Sequence, residues 1–470
     1  MKNPNQNLVN HKLKWWILIA IGTGTFMSAL DTSVVNTILP ILKSHFNTEV
    51  ALVEWVVITY LLLVSGLLPS FGRLGDIYGH KSVYITGFFI FIFSSLVCAL
   101  APNIYALIAA RAFQAIGAAM LSSNSPAILT KSFPSQQRGQ ALGLQATMTY
   151  AGLITGPSLG GWLADQFSWR AVFYINIPVG LLALLLSVLA IPKDDNKTER
   201  EQFDIPGALF FLAGLVALLF ALNQGHNFGW GSVSILSLFL ISAVFLLLFI
   251  RIEKRQSRPM LDLTLFKRRI FSTSAMSAIL NYICVYCILF LMPFFLMDGK
   301  GLSPSQSGLI LSAQPLVMAI IAPISGTISD KIGARIPGMI GMAILSCGLF
   351  LLSRLTLSTP ISYVLICLST TGLGIGIFIS PNNSALMGAA PSNRQGIAAG
   401  ILATSRNIGM VLGIGFSGAV FSTILTMNSN TASSLTTAIR YSFLIACVIA
   451  ILGIITTAIR GNTNSLIIEE

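Results

Sequence analysis

Charged side chains are scarce in this sequence, and their scarcity excludes most classes of protein. Only 9% of the 470 residues are Asp, Glu, Lys or Arg, whereas 54% are hydrophobic. The mean hydropathy is +0.80. Because soluble globular domains carry about 25% charged residues, this composition predicts a protein that lies in a membrane for most of its length.

Cysteine and histidine are also rare, which argues against disulfide, redox and metal chemistry. The sequence has six cysteines, all within apolar runs, and four histidines, none within such a run. Cys284 and Cys287 form a C-x-x-C pair, but no second pair of ligands lies near them in the sequence. We therefore expect no disulfide, no metal and no cofactor.

Long apolar runs dominate what is present. Fourteen runs of about 20 residues are each long enough to cross a hydrocarbon layer of ~30 Å as a helix. They begin near Trp15, Leu52, Ser82, Ile104, Ala141, Ala171, Ile205, Val233, Ile270, Ser305, Ile336, Ile361, Ala398 and Ala438. Strands of a membrane barrel need only about half that length, so the sequence predicts an all-α polytopic membrane protein with fourteen transmembrane helices in a lipid bilayer.

The net charge of +12 reflects membrane topology, not a nucleic-acid partner. If the N-terminus is cytosolic, 21 of the 28 Lys and Arg residues fall in cytosolic segments and five in outer segments, while Arg111 and Arg406 fall within runs. This distribution satisfies the positive-inside rule and places both termini in the cytosol. We expect no nucleic-acid partner.

The first run carries a single carboxylate, Asp31. It lies about 24 Å from Trp15 at 1.5 Å per residue, and an acid at such a depth usually marks the path of an ion or substrate. Counted from the outer end, Asp31 lies about 12 Å deep and Arg111 about 10 Å deep. Burying two opposite charges next to each other at the same depth costs less free energy than burying each alone, which predicts an ion pair. The alternative is that each side chain reaches back to the interface.

Two loops of the chain share one pattern, 254 residues apart. The shared positions are Gly72, Asp76, Gly79 and Lys81 in the first loop and Gly326, Asp330, Gly333 and Arg335 in the second. Glycine permits a tight turn, and the acid can cap a helix or pair with a base at a gate. The pattern resembles the loop between the second and third helices of the major facilitator superfamily. Its repetition implies two homologous six-helix halves around a midplane site.

A glycine-rich stretch in the fifth run resembles the motif that marks antiporters within this superfamily. Its positions are Gly152, Gly156, Pro157, Gly160 and Gly161. Successive G-x-x-x-G steps with a proline give a flat, close-packing helix face with a bend. Because glycine packing is common in membrane helices, a purely structural role is the alternative.

The plan of twelve helices plus two resembles that of the fourteen-helix drug:proton antiporters over nearly the whole chain. This resemblance implies an N-terminal six-helix bundle at 1–192 and a charged linker with two inserted helices and a basic cytosolic stretch at 193–269. A C-terminal six-helix bundle follows at 270–460, with a cytosolic tail at 461–470. We expect a monomer that is not an enzyme, because the sequence contains no nucleophile with a base and no metal cluster in its spans.

Proton coupling is expected to fall on Asp31, since second-half spans that carry acids in some relatives contain none here. Asp31 would bind the proton or a substrate cation, and Arg111 with Gln114 would set how readily it does so. Glu54, at the outer start of the second helix, is expected to be solvated. Further cavity candidates are polar or aromatic residues on pathway helices, several of which could simply pack: Asn36, Gln114, Tyr150, Asn281, Tyr282, Tyr286, Gln314 and Asn407.

The resemblance implies a proton-coupled exporter that exchanges small amphipathic molecules, monocationic or neutral, for protons. Two alternatives stay open. An exporter of an endogenous metabolite, a siderophore or an amino acid would share every motif, and a membrane sensor or scaffold would normally append a soluble domain that no loop here is long enough to form.

Overall fold

The computed structural model of the chain describes residues 4–134, 137–192, 204–229, 231–253, 263–391, 395–427 and 432–461. Over these ranges the chain forms helices and no strand, which confirms the predicted all-α fold. Most of the predicted charged linker (193–203), most of the basic stretch (254–262) and the tail (462–470) lie outside the described residues.

The helices follow one another with short connections. The N-terminal half contains α1 Pro4–Thr37, α2 Leu39–His45, α3 Val50–Val53, α4 Trp55–Tyr78, α5 His80–Ala99, α6 Ile104–Ser132, α7 Arg138–Gln166, α8 Ala171–Tyr174 and α9 Asn176–Ala190. Two helices follow, α10 Ile205–Phe228 and α11 Val233–Glu253. The C-terminal half contains α12 Arg269–Phe294, α13 Pro304–Leu311, α14 Ala313–Ile332, α15 Arg335–Leu352, α16 Ile361–Gly388, α17 Gln395–Met427 and α18 Ala432–Ile459.

Thirteen helical segments of the described chain are long and apolar enough to cross a membrane. The remaining predicted run, near Ala141, is α7, which has 29 residues but a glycine-rich and partly polar sequence. This helix packs along α1 and α13, so much of its surface meets protein and needs no long apolar side chains. The length of α7 and its contacts with other helices, and not its hydropathy, identify it as the fourteenth segment.

The two loops with the shared pattern form equivalent turns. Gly79 alone joins α4 to α5 and has φ +93°, and Gly333 begins the turn from α14 to α15 with φ +83°. Side chains other than glycine are strained at such angles. The glycine spacing therefore fixes where each pair of helices reverses direction.

Helix pairings repeat between the halves as well. α1 packs on α7 as α12 packs on α17, α5 packs on α6 as α15 packs on α16, and α4 packs on α6 as α14 packs on α16. These equivalent pairs follow the sequence repeat, so each half is one bundle with the same internal order.

The inserted helices lie against one side of both bundles. α10 packs on α4 and on α17, with Leu212 against Gly66 and Asn223 against Gly415. α11 packs on α10, where Ser242 Oγ donates a 2.9 Å hydrogen bond to the Gly214 carbonyl. The inner inserted helix thus bridges the two halves.

Candidate functional site

The ion pair expected between the first and fourth spans is present. Arg111 Nη1 lies 2.7 Å from Asp31 Oδ2, and both side chains are fully buried. Asp31 Oδ1 accepts hydrogen bonds from Gln114 Nε2 at 3.1 Å and from Asn176 Nδ2 at 2.7 Å. Three donors therefore surround one carboxylate.

Arg111 is held by several further groups of the N-terminal bundle. Its Nε donates to the Val56 carbonyl at 3.2 Å, and its Nη1 also donates to Gln114 Oε1 at 2.5 Å. The Tyr60 ring covers the guanidinium at 4.1 Å. The charge is therefore paired, capped by an aromatic face and enclosed within one bundle.

Asn176 belongs to this cluster but was not among the sequence candidates. It is the first residue of α9 and is fully buried. A lone amide at the head of an apolar run is the signal that could have identified it, since buried amides need partners.

Two predicted cavity residues lie elsewhere. Asn281 Nδ2 lies 3.5 Å from Met342 Sδ on α15, and Gln314 Nε2 lies 3.4 Å from Thr371 Oγ1 on α16. Both side chains are buried inside the C-terminal bundle. That they line the substrate cavity stays a prediction, because a sequence can assign an amide to a pathway helix without fixing which face it occupies.

Other candidates meet between the bundles around Arg406. The Arg406 guanidinium lies 6.0 Å from the centre of the Tyr282 ring, and Tyr150 and Tyr286 lie near it. Tyr150, Tyr282 and Arg406 are partly exposed. We call the space that these three residues line the central cavity. The sequence placed Arg406 within a span but assigned it no role.

The two remaining candidates are buried. Asn36 Nδ2 donates to the Thr32 carbonyl of its own helix at 2.8 Å, and Asn407 lies beside Arg406 on α17. That they line the substrate cavity stays a prediction.

Glu54 lies in a different environment from the solvated one that was expected. Its side chain is fully buried at the start of α4, against Gly418 of α17 in the other half. Neither carboxylate oxygen has a hydrogen-bond partner among the described residues. The prediction of a solvated Glu54 is wrong because α3 and α17 pack around the outer end of α4.

The first patterned loop makes its polar contacts within its own bundle. Asp76 Oδ1 lies 3.3 Å from His80 Nε2, and His80 Nδ1 lies 2.7 Å from Asn124 Oδ1. Lys81 Nζ contacts the carbonyls of Val188 and Ile191 at the end of α9, where a cation complements the helix dipole.

In the second loop, Asp330 is exposed and Arg335 is partly exposed. The gate roles proposed for these residues stay predictions.

The glycines of α7 form two contact faces. Gly152, Gly156 and Gly160 lie against α1, where an added Cβ at Gly156 would be 1.7 Å from Ser33 Oγ. Gly161 lies against Pro304 of the other half, with 2.2 Å between an added Cβ and the Pro304 carbonyl oxygen.

Gly308 lies equally close to the Pro157 carbonyl. This second face joins the halves backbone to backbone.

Polar contacts between the halves also lie toward the outer end. Lys43 Nζ is 3.1 Å from Asp298 Oδ2. Ser305 Oγ donates a 2.6 Å hydrogen bond to Asp165. At the cytosolic end, the contacts described for Asp76 stay within its own half. In the part of the chain that is described, the bundles are therefore joined at the outer end.

The chain forms two six-helix bundles that meet at the outer end. One bundle contains a buried ion pair, and polar side chains lie between the two. This arrangement is that of a membrane carrier. The chain belongs to the Major Facilitator Superfamily, whose family model matches residues 21–414 and again 274–464. It is a transporter and not an enzyme, and it lies in the cell membrane as a multi-pass protein.

Relatives of known name are transporters. The chain is 35% identical over 451 residues to "Riboflavin transporter RibZ" of Clostridioides difficile, covering 95% of this chain and 97% of that protein. It is 35% identical over 404 residues to "Multidrug resistance protein Stp" of Mycobacterium tuberculosis, covering 86% and 75%. It is 30% identical over 412 residues to "Multidrug transporter protein MdtP" of Bacillus subtilis, covering 87% and 75%.

Solved structures share the fold. A bacterial homologue of the human lysosomal transporter Spinster matches with a TM-score of 0.67 and 16% identity, covering 95% of this chain and 97% of that one. A POT family transporter in complex with 5-aminolevulinic acid matches with a TM-score of 0.69 and 14% identity, covering 93% and 94%.

Proposed function

We propose that the protein is a proton-coupled antiporter that exports small amphipathic molecules by rocking its two bundles about the central cavity. The observation that carries this proposal is the Asp31–Arg111 pair, a fully buried acid and base within the N-terminal bundle. Buried intramembrane acids are costly and usually serve ion or substrate movement. Relatives named as multidrug transporters support the class of substrate.

The contacts of Arg111 offer a route from the acid to the cavity. A proton on Asp31 removes the charge that holds the guanidinium and frees Arg111 to shift against the Tyr60 ring. The Tyr60 hydroxyl lies within electrostatic range of Tyr286 in the other half. Protonation in the N-terminal bundle thereby changes the surface that the C-terminal bundle meets. The exchange uses the proton gradient and no cofactor, and a monomer contains all of these parts.

The experiment is uptake of a fluorescent dye into inside-out vesicles that contain the protein. An acidic interior should drive accumulation of the dye, and a protonophore should abolish it. Accumulation that survives the protonophore and follows ATP or another ion instead would overturn proton coupling.

A second candidate is transport of a flavin-like metabolite. The 35% identity to a riboflavin transporter over 95% of this chain favours it, and so do the two tyrosines at the central cavity, since aromatic rings stack on one another. Competition between riboflavin and the dye in the same vesicles distinguishes the two. The narrower function is assigned if riboflavin fully inhibits uptake of the dye and if other amphipathic molecules are not transported at the same concentrations.

A further inference from the structure

We propose that Arg406, Tyr150 and Tyr282 form the substrate-binding surface of the central cavity, with Tyr286 buried beside them, and that this surface selects planar aromatic molecules that are anionic or neutral over cationic ones. The inference rests on the proposed function, since it takes the cavity to hold the substrate. It narrows the expected class, monocationic or neutral amphipathic molecules, to molecules without a positive charge.

Close packing of two helices positions three of these side chains. Gly409 of α17 lies against α12, with 2.8 Å between an added Cβ and the Cβ of Tyr282. Gly413 lies against the same helix, 3.1 Å from the Cβ of Tyr286 by the same measure. Residues four apart share a helix face, so both tyrosines face α17 next to Arg406.

Tyr150 comes from the opposite bundle. It lies on α7, two residues before Gly152, which packs against α1. Tyr150 lies near both Tyr282 and Arg406. A molecule among these side chains therefore contacts both bundles, as a substrate of a rocking carrier must.

The unbalanced charge at this surface is positive. Arg406 forms no ion pair with a described residue, and its Nε has no hydrogen-bond partner there. The charge of Asp31 is already paired with Arg111 and shielded from the cavity. Glu54 is enclosed at the outer end of α4. A cationic substrate would meet Arg406 with no acid of the described residues to offset its charge.

A cationic substrate would be repelled by Arg406 and attracted to the tyrosine rings, and the sizes of these two effects on binding can be compared. At about 6 Å and an effective dielectric constant of ~20, two like charges weaken binding by roughly a hundredfold. A cation over an aromatic ring gains about five- to thirtyfold. The repulsion exceeds the attraction, whereas an anion gains from Arg406 and stacks on the rings as well.

The test is equilibrium binding of two dyes that share a xanthene ring, the anion fluorescein and the cation rhodamine 123. Fluorescence anisotropy with the purified full-length protein in a neutral detergent gives both affinities. We expect fluorescein to bind about tenfold or more tightly than rhodamine 123. Arg406→Gln should weaken fluorescein by about tenfold and leave rhodamine 123 unchanged or tighter, while Arg406→Lys should keep most of the preference.

Arg354→Gln is the matched control, because Arg354 is exposed and its loss changes the net charge by the same amount. Equal or tighter binding of rhodamine 123 to the unaltered protein would overturn the proposal without any variant. So would a dye ratio that Arg406→Gln and Arg354→Gln change equally. Because binding is measured without a proton gradient, its outcome is separate from that of the vesicle experiment.

Discussion

At the scale of single residues, the ion pair dominates the energetics of the N-terminal bundle. Asp31 and Arg111 are each expensive to bury alone, but they are in direct contact, and amides from α6 and α9 donate hydrogen bonds to Asp31. Removing one partner leaves a buried charge without a counter-charge, whereas removing both leaves only polar and apolar contacts. This asymmetry can be measured.

Arg111→Gln should lower the free energy of unfolding by about 3–5 kcal/mol, because Asp31 then stays buried without a cation. The double variant Asp31→Asn with Arg111→Gln should recover a large part of that loss. Thermal unfolding in detergent measures both, and Arg354→Gln serves as the exposed control. Strictly additive effects of the two substitutions would show that the residues are not coupled.

At the scale of elements, closure of the outer end depends on contacts between helices of different halves. Gly161 and Gly308 place the α7 backbone on α13, and Glu54 places the start of α4 on α17. Small residues allow such close approach in membranes. The state that is closed outside should therefore be sensitive to side-chain volume at these points and insensitive elsewhere on the same helices.

Gly161→Ala should impair transport by about tenfold or more while each bundle stays folded, since an added Cβ would lie 2.2 Å from the Pro304 carbonyl oxygen. Gly143→Ala on the same helix is the control, because nothing lies within 4 Å of the Cβ it would add. Vesicle transport at matched expression gives the comparison. Equal activity of the two variants would mean that this contact does not limit the cycle.

Glu54→Gln should leave thermal stability unchanged or raised. The site offers no donor to Glu54 from the described residues, and a neutral group fits there better than an ionised carboxylate. Glu54→Lys should lower stability by more than about 2 kcal/mol, while Glu49→Lys, at an exposed residue of the same loop, should have little effect. If Glu54→Gln destabilises as strongly as Glu54→Lys, the carboxylate has a cationic partner in the folded protein.

At the scale of the whole molecule, much of the architecture follows from one-dimensional patterns. The length of the apolar runs predicts the helices, and the spacing of Gly79 and Gly333 predicts two equivalent turns. The equal depth of Asp31 and Arg111 in the membrane predicts their ion pair. Helix rotation and the packing of loops are three-dimensional, and the sequence errors lie there.

Glu54, which was expected to be solvated, is enclosed by α3 and α17, and Asn176 joins the ion pair although the sequence did not single it out. Arg406 gains its importance only because no acid of the described chain accompanies it.

The central claim is that export is coupled to an opposing flow of protons through Asp31. The most direct measurement uses proteoliposomes that contain the purified protein and an internal pH-sensitive dye. A substrate gradient imposed in the absence of any pH gradient should drive protons in the opposite direction. Asp31→Asn should abolish this flow while its substrate binding persists, and Glu49→Gln should leave it intact. Substrate-driven proton flow of full size in Asp31→Asn would contradict the account.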